Sequence, residues 1–83
     1  MNPRYQLFHR ISDKDSAAVR FALSKSPLME NPGVQFRNVE TGPEALAALK
    51  QHTGKDEVPV LWDSQKNQIY SGKSEIFGLI DGK

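Results

Sequence analysis

Cysteine is absent from the 83-residue chain. No disulfide can staple the fold, no thiolate can hold a metal, and no thiol can act as a nucleophile. Histidine is scarce as well. His9 and His52 lie far apart, with no ligand-like spacing around either, so no metal site is expected. Apolar runs extend only a few residues, too short to span a bilayer. The first ten residues, MNPRYQLFHR, lack the long apolar stretch and small-residue cleavage site of a signal peptide. Neither sign of charge dominates: 11 Lys and Arg stand against 10 Asp and Glu, for a net charge of +1. That balance gives no field that would draw nucleic acid or an anionic membrane. The expectations are a cytoplasmic protein with no metal, no nucleic-acid partner and no membrane partner.

What is present is ordinary for a globular protein: 37% apolar and 25% charged residues. The length suits one modest core, so residues 1–83 are expected to form a single domain and to act as a monomer. Tyr5, Leu7, Phe8 and Ile11 fall in a stretch with little polar interruption, as in a strand covered on both faces. Asp13 or Ser12 can cap a helix that runs to about Ser26, where Pro27 helps to end it. Met29-Glu30-Asn31-Pro32-Gly33 reads as a turn, and Val34 to Val39 alternates as a strand should. Thr41 and Glu44 stand at capping-box spacing around Pro43, ahead of a helix that Gly54 can stop. Val58-Pro59-Val60-Leu61-Trp62 and Gln68-Ile69-Tyr70 form a hairpin across the polar stretch Asp63 to Asn67. Gly72 or Ser74 opens a last helix, which Gly78 interrupts. The order is βαβ-α-ββ-α: an α/β fold with a four-stranded mixed sheet and three helices.

Local stretches sharpen that order. In "LKQHTGKDEVPVLW", Leu49 to Trp62, a helix ends in Thr-Gly and leads within a few residues to Val-Pro. "SGKSEI", Ser71 to Ile76, opens the last helix, and "FHRISDKDSAAVRFAL", Phe8 to Leu23, spans a strand, a loop and a helix. Together these resemble the glutaredoxin branch of the thioredoxin fold over essentially the whole chain. The glutathione transferase N-terminal domain is the enzyme-class alternative within the same resemblance. The resemblance implies a thioredoxin-like fold with a cis proline at Pro59. It lays the family's Cys-x-x-Cys on Asp13-Lys14-Asp15-Ser16, so the motif is missing.

The resemblance also implies where a tripeptide pocket would lie. Arg10 falls where a lysine often meets the glycine carboxylate of glutathione, and Val58, before Pro59, where the main chain pairs with the ligand. Lys73, Ser74 and Glu75 fall where the γ-glutamyl end is held. Against retention, Glu57 stands where a threonine is usual, and Asp13 would face the ligand's sulfur. Both add negative charge beside an anionic ligand. The residues themselves carry plainer readings: Asp13 and Ser16 as a helix cap, and Arg10, Lys73 and Glu75 as solvated surface groups. Transferase chemistry would need Ser12 or Ser16 as the activating hydroxyl and a helical domain for the second substrate. Trp62, Tyr70 and Phe77 are candidate interface aromatics. The reading is a glutaredoxin-like module without redox chemistry, with no required cofactor and weak glutathione binding at most, acting on a protein partner through the groove near Asp13, Val58, Pro59 and Ser74 or through the surface around it. The alternative is a glutathione-binding or glutathione-transferase-like protein that keeps the tripeptide pocket.

Overall fold

The computed structural model describes residues 3–30 and 33–82. Eight elements follow one another: β1 (Tyr5–His9), α1 (Lys14–Ser24), a 3-10 turn (Pro27–Met29), β2 (Val34–Asn38), α2 (Pro43–Thr53), β3 (Val60–Asp63), β4 (Gln68–Ser71) and α3 (Gly72–Asp81). Asn31 and Pro32, central to the turn expected after the first helix, lie outside the described residues.

The strands form one sheet in the order β2-β1-β3-β4. β1 runs parallel to β2, from Tyr5 opposite Val34 to His9 opposite Asn38. β3 runs antiparallel to β1 and to β4. Alternation along β1 divides the core. Tyr5 and Leu7 pack with Val19 and Leu23 of α1, Leu61 of β3 and Ile76 of α3. Phe8 turns to the other face and meets Val39, Val60, and Ala45 and Leu49 of α2. A strand buried on both sides accounts for the near-continuous apolar run. Each fully buried aliphatic side chain removed from water contributes about 1.5–3 kcal/mol.

The helix ends follow local chemistry. Asp13 caps α1, its carboxylate accepting the Ser16 N–H at 2.7 Å, and Asp15 adds negative charge to the first turn. Pro43 opens α2. Gly54 closes it in the left-handed region at φ 75°, its N–H donating to the Lys50 carbonyl at 2.7 Å. Four expectations change. Ile11 lies beyond the end of β1 and is exposed rather than covered. The Thr41–Glu44 capping box does not form, because the N-cap is Gly42 and no side chain bonds there. α3 runs unbroken through Gly78, since the apolar face around Ile76 is held by packing and outweighs one glycine. β3 starts at Val60 rather than Val58 and extends to Asp63, which is a buried strand residue and not the first residue of a loop.

Candidate functional site

The candidate residues gather at three junctions: β1 to α1, α2 to β3, and β4 to α3. Every one of the three is closed by bonds within the chain. At the first, Asp13 holds the Ser16 N–H, and the fully buried Ser16 hydroxyl accepts the Arg10 N–H at 3.2 Å. Arg20 donates to the Arg10 carbonyl at 3.0 Å. Ser12 donates both its N–H and its hydroxyl to the Glu40 carboxylate, at 3.1 and 3.2 Å. Those bonds hold the Glu40 carboxyl below its ordinary range. Sequence reasoning missed Glu40, because nothing in its local pattern reveals a partner 28 positions away.

Beneath this loop lies His9, 4% exposed. Its Nδ1 is 3.1 Å from Arg20 Nη1, and its ring meets Phe36 edge-on, with centroids 5.8 Å apart. A guanidinium can only donate, so Nδ1 accepts and the ring proton sits on Nε2. Burial, and then the charge of Arg20, push the His9 pKa down, and the imidazole is neutral.

At the second junction the Thr53 hydroxyl donates to the Leu49 carbonyl and accepts the Lys55 N–H. The Val58–Pro59 peptide is cis. Arg10 reaches across to the Asp56 carbonyl at 3.2 Å. At the third, Gly72 adopts φ 87°, and its N–H donates to the Pro59 carbonyl at 2.9 Å. The positive φ there is what glycine tolerates and a side-chain-bearing residue resists. The Glu75 carboxylate accepts the Ser71 N–H at 2.9 Å and so serves its own helix start. Lys73 pairs with Asp15 of α1 at 3.4 Å.

Between the last two junctions opens a cleft of about 460 Å³, lined by Thr53, Lys55, Glu57, Val58, Pro59, Val60, Ser71 and Gly72. Of the residues anticipated from sequence around the tripeptide pocket, Glu57, Val58 and Pro59 line it. Asp13, Ser16, Arg10, Lys73, Ser74 and Glu75 do not. Thr53, Lys55, Val60, Ser71 and Gly72 carry no site signal of their own in the sequence, although the family resemblance around Thr53-Gly54 and Val58-Pro59 points at this loop. The Val58 N–H and C=O take no hydrogen bond among the described residues. Trp62 does not stand free: it stacks on His52 with centroids 4.3 Å apart, and its Nε1 donates to Asn67 at 3.4 Å. Tyr70 and Phe77 pack against the core.

Solved structures share this arrangement. A mutated buckwheat glutaredoxin superposes with a TM-score of 0.70 over 99% of this chain and 72% of its own, at 20% identity. The fold is that of a glutaredoxin. A buckwheat glutaredoxin–glutathione complex gives a TM-score of 0.67 over 96% of this chain and 71% of its own, at 17% identity. Oxidized glutaredoxin 2 from Chlamydomonas reinhardtii gives 0.66 over 95% and 72%, at 12% identity. No family model matches the chain. No curated protein matches it in sequence. The glutaredoxin-like chain differs from a thiol enzyme of this fold in one plain respect, since it has no cysteine anywhere.

Among the described residues no three His, Asp or Glu side chains gather as a metal site. No described helix is long and apolar enough to cross a membrane.

Proposed function

We propose that the chain is a glutaredoxin-like module that performs no thiol chemistry and recognises an extended segment of a partner protein in the cleft beside Val58 and Pro59. One observation carries the reading: each charged group that the family resemblance assigns to glutathione already has a partner in the chain. Lys73 pairs with Asp15, Glu75 accepts the Ser71 N–H, and Arg10 donates to the Asp56 carbonyl. Glutathione would have to displace them while meeting Glu57 at the cleft wall. An extended peptide needs no such charges. It can pair with the unbonded Val58 main chain as an added strand, which draws affinity from backbone hydrogen bonds. The same fold with glutathione bound, in the buckwheat complex, makes tripeptide binding the second reading. A cytoplasmic location belongs to this proposal.

Two measurements test it. In an NMR titration with glutathione, amide shifts at Val58 and at Lys73 to Glu75 should not saturate below millimolar ligand. Saturation there at submillimolar concentration overturns the proposal in favour of the tripeptide pocket. Peptides selected from a displayed random library should lose binding to Glu57→Trp, which fills the cleft from an exposed position. If no selected peptide responds to that change, peptide recognition at this cleft is wrong.

A further inference from the structure

The sheet order leaves β2 and β4 at its edges. β4 passes directly into α3 and borders the cleft. β2 is different. It is five residues long, Gln35 and Phe36 are exposed, and Phe36 keeps 38% of its surface in solvent. The phase of its backbone is fixed. The Tyr5 N–H donates to the Gly33 carbonyl, and the Val39 N–H to the His9 carbonyl. In a parallel ladder, residues 33, 35, 37 and 39 therefore bond toward β1, while Val34, Phe36 and Asn38 turn their N–H and C=O groups away from the sheet.

Folded proteins usually blunt such an edge with a proline, a bulge or a projecting charge. Val34 to Asn38 has no proline, and its register to β1 is unbroken. Its single charge is drawn back onto its own sheet: Arg37 donates to Gln6 Oε1 at 3.0 Å and lies 5.7 Å from the Phe8 ring centroid.

We infer that β2 is a self-association edge, pairing antiparallel with β2 of a second copy about a twofold axis through Phe36. The pattern is self-complementary. Phe36 opposite Phe36 exchanges two N–H to C=O bonds. Val34 then faces Asn38 of the second copy, and the Asn38 N–H groups reach the Val34 carbonyls. The Asn38 carbonyl already accepts the Gly42 N–H at 3.1 Å, so the ladder ends there. A one-residue slip would set the inward-bonded groups of Gln35 or Arg37 at the seam and leave no outward bonds. Side chains agree with the same register. Phe36 meets Phe36 as an aromatic pair on one face, and Gln35 meets Arg37 on the other, so no like charges oppose each other. With a net charge of +1 per copy, association meets little repulsion.

Sedimentation velocity from about 1 μM to about 1 mM chain should show a reversible monomer–dimer equilibrium within that range. Gln35 is exposed, so its variants leave the core alone. Gln35→Glu places two opposite-charge pairs across the seam and should tighten the dimer about fivefold, and Gln35→Lys should loosen it by about the same factor. Hydrogen exchange at the Phe36 amide should slow as concentration rises. A chain that stays monomeric throughout, or that sediments beyond a dimer, overturns the inference. So does a dimer whose dissociation constant is unmoved, or moved in one direction, by both Gln35 changes.

Discussion

Asp63 joins the start of β1 to the β3–β4 turn, and its loss should be the most damaging polar change in the chain. The side chain is 1% exposed. Arg4 grips it with two bonds, Nε to Oδ1 at 3.0 Å and Nη2 to Oδ2 at 2.9 Å, and the Gln65 and Lys66 N–H groups donate to Oδ1. Burial alone would raise the carboxyl pKa, but Arg4 and the two backbone donors outweigh it and hold Asp63 below its ordinary 3.8. Asp63→Asn keeps the volume but puts an amide NH2 where a carboxylate oxygen met donors. Breaking a buried ion pair commonly costs about 3–5 kcal/mol. Arg4 is 23% exposed here and can turn to water, so about 2–3 kcal/mol is expected. Over 83 residues, an unfolding entropy of about 2.1 cal/mol/K per residue makes that a fall in Tm of roughly 12–17 °C. The pH dependence adds a signature. A carboxyl with a lowered folded pKa contributes stability above its unfolded pKa and loses it as pH falls through the folded value. The gap between the parent chain and Asp63→Asn should therefore hold constant from pH 7 to about pH 5 and narrow below about pH 4. Urea unfolding at a series of pH values reads both quantities. A variant within about 0.5 kcal/mol of the parent at pH 7, or a gap that does not narrow on acidification, would refute the reasoning.

Asp13→Ala removes the α1 cap and should cost about 1 kcal/mol, while Asp13→Ser should recover most of it; thermal unfolding of the two variants checks this. His9 is neutral in the fold and its pKa is lowered from 6.5, so the unfolded chain takes up a proton first. Stability should decline as pH drops below about 6.5, and His9→Phe should flatten that part of the profile in chemical denaturation. Reduction of a disulfide passes through a thiolate attack that this chain cannot make. A glutathione-coupled reductase assay should read background, and turnover that stays with the protein through further chromatography would contradict the assignment.

Most of the architecture was legible because it rests on local patterns. Alternation in Val34 to Val39, the apolar run before Asp13, and Gly54 after a helical stripe each name an element without its neighbours. Asp63 could not be read that way. Its partner Arg4 is 59 positions distant, and a lone aspartate before Ser-Gln-Lys-Asn looks like turn chemistry. The same limit applied to Glu40 and to the His9–Arg20 pair. The cleft was half legible. Val58 and Pro59 are placed by the glutaredoxin resemblance that their spacing from Thr53-Gly54 supports, but which charges remain available depends on pairings that only the folded chain makes.

The β1–α1 junction shows how one helix start can be answered by more than one kind of anion. A helix start presents N–H groups and the positive end of the dipole, which stabilise whatever anion sits there. A thiolate answers that field, and so does a carboxylate. Asp13 answers it with a 2.7 Å bond to the Ser16 N–H, and the buried Ser16 hydroxyl ties the same turn back to Arg10. These bonds close the loop, so they serve stability whatever group the helix start holds. Asp13→Cys separates the two roles. It should lose the cap, lower Tm, and place its thiol in the field of the helix start, where its pKa falls below the usual 8.5 or so. Alkylation by iodoacetamide across a pH series should then follow a lower pKa than that of a cysteine placed at exposed Ser64. Equal pKa values would mean that the field does not act at this helix start, and the account of Asp13 as its natural anion would fail.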